Sequence, residues 1–218
     1  MPRDINKPNM LLDLDNTIIC AEAYEEYDKK KYKKKEDLFR HDDMDGYYIV
    51  FSRPYLQEFL DYAFENFNVT VWTAASKDYA LFIIENIILN KNPDRQLDFI
   101  FFTYHCDLSK KQMKWSKNLC MLWDIHNLSG YDKNNTIIID DYISEVHKHQ
   151  PNNCIISPAF EFIDKGSEND TFLKDILPEL DKMILRIRDK ETLPDGSINL
   201  ATKVNENMKT IRTRTKTD

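Results

Sequence analysis

The sequence predicts an α/β fold in which helices cover both faces of a doubly wound parallel sheet. Short apolar segments alternate along the chain with longer segments whose apolar residues recur at helical spacing, a pattern typical of this fold class. Three of the apolar segments end in Asp or Thr, and ligands of such sheets bind where the strands end. The chain has 218 residues, 42% hydrophobic and 31% charged, which suits one domain with a full core.

The first predicted strand leads into the most informative turn of the chain, Met10 to Thr17. Its apolar entry precedes Asp13 and Asp15, whose side chains we expect on one face because residues i and i+2 of a strand point the same way. Neighbouring carboxylates raise each other's pKa unless a cation intervenes, and Mg²⁺ prefers carboxylate oxygens, water and phosphate. The pair therefore indicates a site for magnesium and phosphoryl transfer. The alternative is an Asp-rich turn without chemistry, since Asp and Asn favour turns.

Residues 20–46 form a predicted flap insertion after the first strand. Within it, residues 22–36 are a charge run that contains six lysines among tyrosines and acidic residues. The run is either a solvated insertion or a flap over the site whose lysines attract a phosphorylated or acidic partner. Beyond it, Tyr47–Phe51 predicts a strand, and Arg53 with Pro54 predicts a helix start because Pro suits the first helical turn.

Two further strands end in side chains that can carry chemistry. Asn68–Thr73 predicts a short buried strand ending in a hydroxyl, and Ser76 predicts the N-cap of the helix that follows. Asn135–Asp141 predicts a fully buried parallel strand that ends in two carboxylates. Because parallel strands end at the same edge of a sheet, we expect all of these groups to lie together. The set consists of Asp13, Asp15, Thr73, Asp140 and Asp141.

The remaining elements complete the predicted domain. Phe99–Phe102 and Cys154–Ile156 predict short strands, and the apolar spacing over residues 170–188 predicts an amphipathic helix. From residue 190 onwards the apolar density falls. We therefore expect one domain over residues 1–189, and a polar, mobile tail over residues 190–218 that is available for an accessory contact.

Composition and charge argue against several classes of protein. The net charge of −7 and the pI near 5.3 disfavour nucleic-acid binding across the whole surface. No apolar run reaches the roughly 18 residues of a membrane span, and the start lacks the features of a signal peptide, so we expect a soluble intracellular protein, cytoplasmic or nuclear. The four cysteines are scattered without a Cys-x-x-Cys pair, which favours buried, reduced thiols.

Five short segments occur in an order that a known superfamily shares. They are the turn Asp13, Leu14, Asp15 with Thr17; the helix start at Arg53 and Pro54; the segment from Val71 to Ser76; Lys117 with Asn118 and Leu119; and the strand end from Ile139 to Asp141. Over about residues 8 to 187 the chain thereby resembles the haloacid dehalogenase superfamily. More narrowly, it resembles the protein serine/threonine phosphatases of the RNA polymerase II C-terminal domain, the small C-terminal-domain phosphatase and Dullard-like (NLI-interacting-factor-like) group. The resemblance implies a haloacid dehalogenase-like Rossmannoid fold.

The resemblance also implies a role for each matching residue. Asp13 is expected to be the nucleophile that takes the phosphoryl group, and Asp15 the general acid for the leaving oxygen and then the base for water. Thr73, Ala74 and Lys117 are expected to hold phosphate oxygens. Because a carboxylate is a weak nucleophile towards a phosphate dianion, positive charge must neutralise the phosphate before Asp13 can approach.

Mg²⁺ is the implied cofactor. The side chains of Asp13 and Asp141 and the backbone carbonyl of Asp15 are expected to ligate it, with Asp140 beside them. The assignment of Lys117 has an alternative, a solvated lysine, because three more lysines lie at positions 110, 111 and 114.

The expected function is that of a Mg²⁺-dependent phosphoric monoester hydrolase that acts on phosphoserine or phosphothreonine in a protein. The C-terminal domain of RNA polymerase II is one candidate substrate. Two alternatives stay open, a phosphatase of nucleotide ends or small metabolites and a non-catalytic module that binds phosphopeptides or a partner protein. Thr103 and Tyr104 stand where the small phosphatases usually have Arg and Glu, and Asp141 replaces a frequent Asn, so substrate preference is open as well.

Overall fold

The computed structural model describes residues 4–214, which contain eight strands and seven α-helices. The strands are β1 (Asn9–Leu12), β2 (Ile19–Ala23), β3 (His41–Met44), β4 (Tyr48–Ser52), β5 (Asn68–Trp72), β6 (Ile100–Phe101), β7 (Thr136–Asp140) and β8 (Cys154–Ile156). The helices are α1 (Lys29–Glu36), α2 (Leu56–Asn66), α3 (Lys77–Ile83), α4 (Thr103–Met113), α5 (Phe172–Asp175), α6 (Leu177–Asp189) and α7 (Ala201–Arg214). Short π-helical turns lie at Ile84–Ile88, Met121–Ile125 and Ile143–His147, and a 3-10 turn at Ser167–Asn169.

Five strands form a central parallel sheet in the order β6-β5-β1-β7-β8, which confirms the predicted α/β fold. The first strand lies in the middle, where Leu12 is level with Val71 of β5 and Ile139 of β7. Asp13 follows Leu12 and Asp140 follows Ile139, so the two aspartates come directly after residues that are level in adjacent strands. The register therefore brings both carboxylates to the same point on the edge of the sheet.

Helices and loops cover both faces of this sheet. Every residue of β1, β5 and β7 is buried, as expected of parallel strands that are covered on both sides. Successive residues of β1 pack in two different hydrophobic cores. Met10 and Leu12 lie in the larger core, whereas Leu11 lies in the smaller core with Trp72 and Ile138. The larger core contains residues of α2, α3, α6 and α7, and the smaller contains the α4 residue Cys106.

The predicted flap is a small folded unit. Strands β2, β4 and β3 form an antiparallel sheet in that order, and α1 lies between β2 and β3 in the chain. Aromatic rings fasten α1 to this sheet, because Tyr27 stacks on Tyr32 at 5.9 Å and both contact Phe162. Phe162 in turn stacks on Phe51 of β4 with ring centroids 3.7 Å apart. The predicted strand Tyr47–Phe51 corresponds to β4.

Two expectations for the C-terminal part of the chain need correction. The single helix predicted over residues 170–188 is divided at Ile176 into α5 and α6, with Pro178 in the first turn of α6. A proline lacks the N–H that a helix interior requires but suits the first turn, which explains the division. The other correction concerns the predicted mobile tail.

Residues 201–214 of the predicted tail form α7, and this helix packs on the domain. Leu200, Ala201, Val204 and Met208 are buried in the larger core, although the surrounding sequence is polar. The side chain of Asn205 accepts a hydrogen bond from the Ile156 backbone N–H at 2.8 Å and donates one to the Cys154 carbonyl at 2.9 Å. The helix therefore satisfies polar groups on the edge strand β8. The expectation failed because a few well-spaced apolar residues suffice for one buried face.

No helix among the described residues combines the length and the apolar character needed to cross a lipid bilayer.

Candidate active site

The turn after β1 holds Asp13, the first of the two predicted catalytic carboxylates, in a buried position. Asp13 is buried, with 6% of its surface exposed, and its backbone N–H donates to the Ile139 carbonyl at 3.1 Å. The Thr17 hydroxyl donates to Asp13 Oδ2 at 2.9 Å. Leu14 points into the core, and Asn16 adopts a left-handed conformation with φ of 57°. Asn tolerates this conformation better than most residues, so the turn can be tight.

Lys117 lies between two of the carboxylates. Its ammonium group donates to Asp13 Oδ1 at 2.5 Å and to Asp140 Oδ2 at 2.7 Å, and the side chain is buried. The Gln150 side chain fixes the loop, because its amide donates to the Lys117 carbonyl at 2.9 Å. The lysines at positions 110, 111 and 114 are all exposed. Among these four lysines, the structure therefore brings only Lys117 to the predicted site.

The charged groups around Asp13 favour the binding of a cation. Carboxylate oxygens of Asp13, Asp140 and Asp141 lie within 4.8 Å of one another. Burial raises the pKa of Asp13 to about 7, an effect opposed by the charge of Lys117 and reinforced by Asp140. Burial by itself lowers the pKa of Lys117, but the two carboxylates it contacts raise it overall, so the ammonium form persists. Three carboxylates face one ammonium, and such an oxygen-rich, electron-rich cluster fits Mg²⁺.

Asp15 faces a cleft instead of the lysine. The Tyr79 hydroxyl donates to Asp15 Oδ1 at 2.5 Å, and the backbone of Asp15 forms a bridge with Ile19. Burial raises the pKa of Asp15, and the Tyr79 hydrogen bond partly offsets this. The cleft has a volume of about 380 Å³ and is lined by Asp15, Ala21, Tyr48, Ala75, Ser76 and Tyr79. A substrate in this cleft would meet the carboxyl group of Asp15.

The two predicted phosphate-binding residues that directly follow β5 differ in exposure. Thr73 is buried and its backbone N–H donates to the Phe101 carbonyl, whereas Ala74 is exposed. The Thr73 oxygen accepts a hydrogen bond from the Ala75 N–H at 3.0 Å. This contact uses the hydroxyl as an acceptor, so its proton can still be donated to a phosphate oxygen. The next helix begins as predicted, with the Ser76 side chain accepting from the Tyr79 N–H.

Comparison with known proteins decides the family. The model of the NLI interacting factor-like phosphatase family matches residues 8–191. The chain belongs to the NLI interacting factor-like phosphatase family. The family that the sequence pattern predicted is thereby confirmed, and membership places the chain among the phosphatases.

The relatives of this NLI interacting factor-like phosphatase include viral proteins. The CTD phosphatase-like protein 355R of Invertebrate iridescent virus 6 is 49% identical over 176 residues, which cover 78% of this chain and 96% of that protein. The protein of the same name from Invertebrate iridescent virus 3 is 44% identical over 176 residues, covering 77% and 91%. A solved structure of Fcp1, "an essential RNA polymerase II CTD phosphatase", matches with a TM-score of 0.52 at 17% identity. It covers 95% of this chain and 61% of the Fcp1 chain, and it supports the fold alone.

Arg53 is a buried residue of this NLI interacting factor-like phosphatase whose role the sequence analysis missed. Its guanidinium forms two hydrogen bonds with Asp170, at 2.9 and 2.8 Å. It also donates hydrogen bonds to the Thr17 carbonyl and the Ser157 hydroxyl, both at 2.7 Å, and to the Pro158 carbonyl at 3.0 Å. The arginine thus joins the turn after β1, the residues that follow β8 and the segment that precedes α5. The pattern showed only that Arg53 precedes a helix, because its partners are distant in sequence.

Thr17 and Tyr79 were also missed as contacts of the two predicted catalytic carboxylates, Asp13 and Asp15. Thr17 belongs to the matched motif, but its position in the sequence does not indicate a contact with Asp13. Tyr79 lies on the apolar face of α3 and packs in the larger core. A tyrosine on such a face has a polar end that needs a partner when buried, and that requirement was the available signal.

Proposed function

We propose that the protein is a Mg²⁺-dependent phosphatase that hydrolyses phosphoserine or phosphothreonine in a protein through an aspartyl-phosphate on Asp13. The observation that carries the proposal is the environment of Asp13, a buried carboxylate fixed by Lys117 and Thr17 beside two further carboxylates. A structural carboxylate needs no such arrangement. A nucleophile that must meet a phosphate dianion needs both fixed orientation and nearby positive charge.

In the first step, an oxygen of Asp13 forms a bond to phosphorus while the bond from phosphorus to the serine or threonine oxygen breaks. Lys117 neutralises charge on the phosphate, and the Thr73 hydroxyl donates a hydrogen bond to it. Asp15 gives its proton to the departing oxygen. Burial raises the pKa of Asp15, which favours the protonated form that a proton donor requires.

In the second step, water attacks the phosphorus of phospho-Asp13. Asp15, now ionised, takes a proton from this water, and inorganic phosphate and free Asp13 are released. The hydrogen bond from Tyr79 holds the Asp15 carboxylate in place between the two steps. One side chain thus serves as acid and then as base, which requires that it remain beside the reacting atoms.

The carboxylates offer a fitting site for the proposed cation. Asp13, Asp140 and Asp141 would hold Mg²⁺ through carboxylate oxygens, and Asp15 through its backbone carbonyl. When bound, the ion would supply positive charge that reduces repulsion between Asp13 and the phosphate. Its proposed ligands come from the turn after β1 and the end of β7, two adjacent strands of the central sheet.

A phosphorylated protein is the substrate class that we propose. The viral relatives are named CTD phosphatase-like proteins, and Fcp1 is described as an RNA polymerase II CTD phosphatase. The cleft at Asp15 is open to solvent and has Tyr48 and Tyr79 along its wall, which suits an extended peptide segment. The phosphorylated C-terminal domain of RNA polymerase II is therefore the first candidate to test.

The test compares Asp13→Asn with Asp15→Asn by rapid-quench detection of phosphoenzyme. Asp13→Asn should form no phosphoenzyme and fall to background turnover. Asp15→Asn should lose far more activity on a phosphoserine peptide than on an aryl phosphate, whose leaving group hardly needs protonation. It should also show a burst on the aryl substrate, followed by slow hydrolysis of phospho-Asp13. Phosphoenzyme in Asp13→Asn, or equal losses on both substrates in Asp15→Asn, would contradict the two assignments.

The substrate class is tested separately with the unmodified protein. We expect turnover of phosphoserine peptides at a much higher kcat/KM than that of a 3′-phosphorylated oligonucleotide or a sugar phosphate. A preference for the oligonucleotide would replace the proposed substrate while leaving the aspartyl-phosphate mechanism intact.

A further inference from the structure

The loop that carries Lys117 is buried and has an unfavourable backbone conformation. It follows α4, and residues 116–119 are buried. Two of its residues are left-handed, Lys114 with φ of 77° and Lys117 with φ of 51°. This conformation is costly for residues other than glycine, and it persists where surrounding contacts enforce it. Contacts from outside the loop are therefore needed to hold Lys117 where its ammonium group reaches Asp13 and Asp140.

The side chain of Gln150 brackets the loop at the lysine. Its Oε1 accepts a hydrogen bond from the Leu119 N–H at 3.0 Å, and its Nε2 donates to the Lys117 carbonyl at 2.9 Å. These backbone groups lie outside the helices and strands, and buried backbone groups need partners. One amide side chain thus fixes the backbone on both sides of Asn118.

Two further contacts to the loop come from the same part of the chain. Glu145 Oε1 accepts a hydrogen bond from the Ser116 N–H at 3.1 Å. The ring of His149 stacks on that of Trp115, with the ring centroids 4.5 Å apart. Together with the bracketing glutamine, these side chains belong to residues 145–150, which we call the clamp segment. The clamp segment therefore contacts the loop at several successive residues.

The clamp segment comes soon after the acidic end of β7. Asp140 is the last residue of β7, and the π-helical turn at Ile143–His147 leads from there to Gln150. The Gln150 backbone N–H donates to the carbonyl of His147 at 3.1 Å, which ties it to this turn. The same stretch of chain thus supplies Asp140 and Asp141 and holds the loop whose ammonium group faces them.

We propose that Gln150 is a positioning residue that holds the Lys117 ammonium group where it can neutralise the substrate phosphate. This inference rests on the proposed function, because Lys117 acts on the phosphate in that function. Gln150 contacts the backbone of the loop and acts only through the lysine. Without the bracket, Lys117 is free to leave its left-handed conformation, so its ammonium group lies beside Asp13 for less of the time.

A residue that acts through Lys117 has a distinctive effect on the kinetics. Lys117 meets the phosphate group, which is the same in an aryl phosphate and in a phosphoserine peptide. Loss of its positioning should therefore lower kcat/KM equally for both substrates. Loss of a group that acts through Asp15 should instead depend on the leaving group. The binding of inorganic phosphate, which has no leaving group, should weaken as well.

The loop is also attached to α4, so a Gln150 variant should still fold. The hydroxyl of Ser109, a fully buried residue of α4, donates to the Trp115 carbonyl at 2.7 Å and accepts from the Asn118 N–H at 3.0 Å. These two bonds do not involve Gln150. They keep the loop on the domain when the bracket is removed.

The test variant is Gln150→Met, which keeps the length of the side chain and removes both hydrogen bonds. Its kcat/KM should fall about tenfold on aryl phosphate and on phosphoserine peptide alike, since each hydrogen bond contributes a factor of roughly two to ten. At fixed Mg²⁺ concentration, its Kd for inorganic phosphate, measured by calorimetric titration, should rise about three- to tenfold. Gln150→Glu keeps only the acceptor for the Leu119 N–H, so it should lower both kcat/KM values as well.

The matched control is Asn153→Leu. Asn153 is also a half-buried amide that binds backbone twice, since its Nδ2 donates to the Lys133 carbonyl at 2.8 Å and to the Thr136 carbonyl at 2.7 Å. These contacts lie at the start of β7, the end opposite to the acidic residues. The control should lower Tm as much as Gln150→Met does. Its kcat/KM values and its phosphate Kd should stay within about twofold of wild type.

Three results would overturn the inference. The first is kcat/KM and phosphate Kd that match wild type in a folded Gln150 variant, and Gln150→Glu decides if Gln150→Met does not fold. The second is a loss confined to the peptide, and the third is an equal loss in Asn153→Leu. Failure of the proposed function is distinguishable, because wild-type protein itself would then not turn over the phosphoserine peptide.

Discussion

Removing the Tyr79 hydroxyl by Tyr79→Phe should weaken the proton transfer assigned to Asp15. The hydroxyl donates to Asp15 Oδ1 at 2.5 Å, which fixes the carboxyl group of the proposed acid from the side of α3. Phenylalanine keeps the ring, which packs in the larger core and contacts the ring of Tyr48 at 5.6 Å. The change therefore removes the hydrogen bond that orients the Asp15 carboxyl group without opening a cavity.

The size of the effect follows from this one contact. Hydrogen bonds to charged groups contribute about 1.5 to 3 kcal/mol. About 1.4 kcal/mol corresponds to a tenfold change in rate, so kcat/KM on a phosphoserine peptide should fall about ten- to hundredfold. An aryl phosphate has a leaving group that hardly needs a proton, so its kcat/KM should fall less than about threefold. The ratio of the two losses measures how much the Tyr79 hydroxyl contributes to the action of Asp15 as an acid.

The assay is kcat/KM on both substrates, because this quantity excludes the later hydrolysis of phosphoenzyme, in which Asp15 acts as a base on either substrate. Tyr48→Phe is the matched control, since it removes a hydroxyl from the same cleft without a contact to Asp15 among the described hydrogen bonds. The control should leave both kcat/KM values within about twofold of wild type. Equal losses on both substrates by Tyr79→Phe, or no loss on either, would refute the reasoning.

Two more predictions concern the metal and the C-terminal helix. Activity should vanish in excess chelator and return with Mg²⁺. The Asp141→Ala variant should raise the Mg²⁺ concentration needed for half-maximal activity more than it raises KM. An unchanged magnesium titration would remove Asp141 from the proposed ligands. Met208→Ala should destabilise the protein by about 2 to 5 kcal/mol in urea unfolding, because the side chain is buried in the larger core. Lys203→Ala, on the exposed side of α7, should change stability by less than about 0.5 kcal/mol, and equal effects would show that α7 does not pack as described.

The sequence predicted the central sheet well because its strands carry two independent signals. Each core strand is short and apolar, and β1 and β7 also end in paired carboxylates. The apolar pattern of each segment is then sufficient to predict a strand. Parallel pairing places the carboxyl ends of these strands at the same edge of the sheet. The helices α1 and α4 were not predicted, since their sequences are dominated by lysine and other polar residues. Their stability depends on tertiary contacts and caps, which the pattern of the segment does not contain.

Lys117 shows why the candidate site could be predicted only in part. The site's acidic residues stand at strand ends, where the pattern itself marks them, but this lysine lies in a loop with three other lysines nearby. A buried ammonium group is costly unless carboxylates compensate its charge, and here they come from positions 104 and 23 residues away. The pattern of the loop itself therefore does not distinguish Lys117 from its neighbours, and the expectation for Lys117 came from the family resemblance alone. The Lys117 ammonium contacts both Asp13 and Asp140, and its charge opposes the rise that burial causes in the pKa of Asp13, so a change at Lys117 also shifts the protonation of Asp13. It follows that a loss of activity in a Lys117 variant does not by itself show that the lysine binds phosphate, because the charge state of Asp13 changes as well.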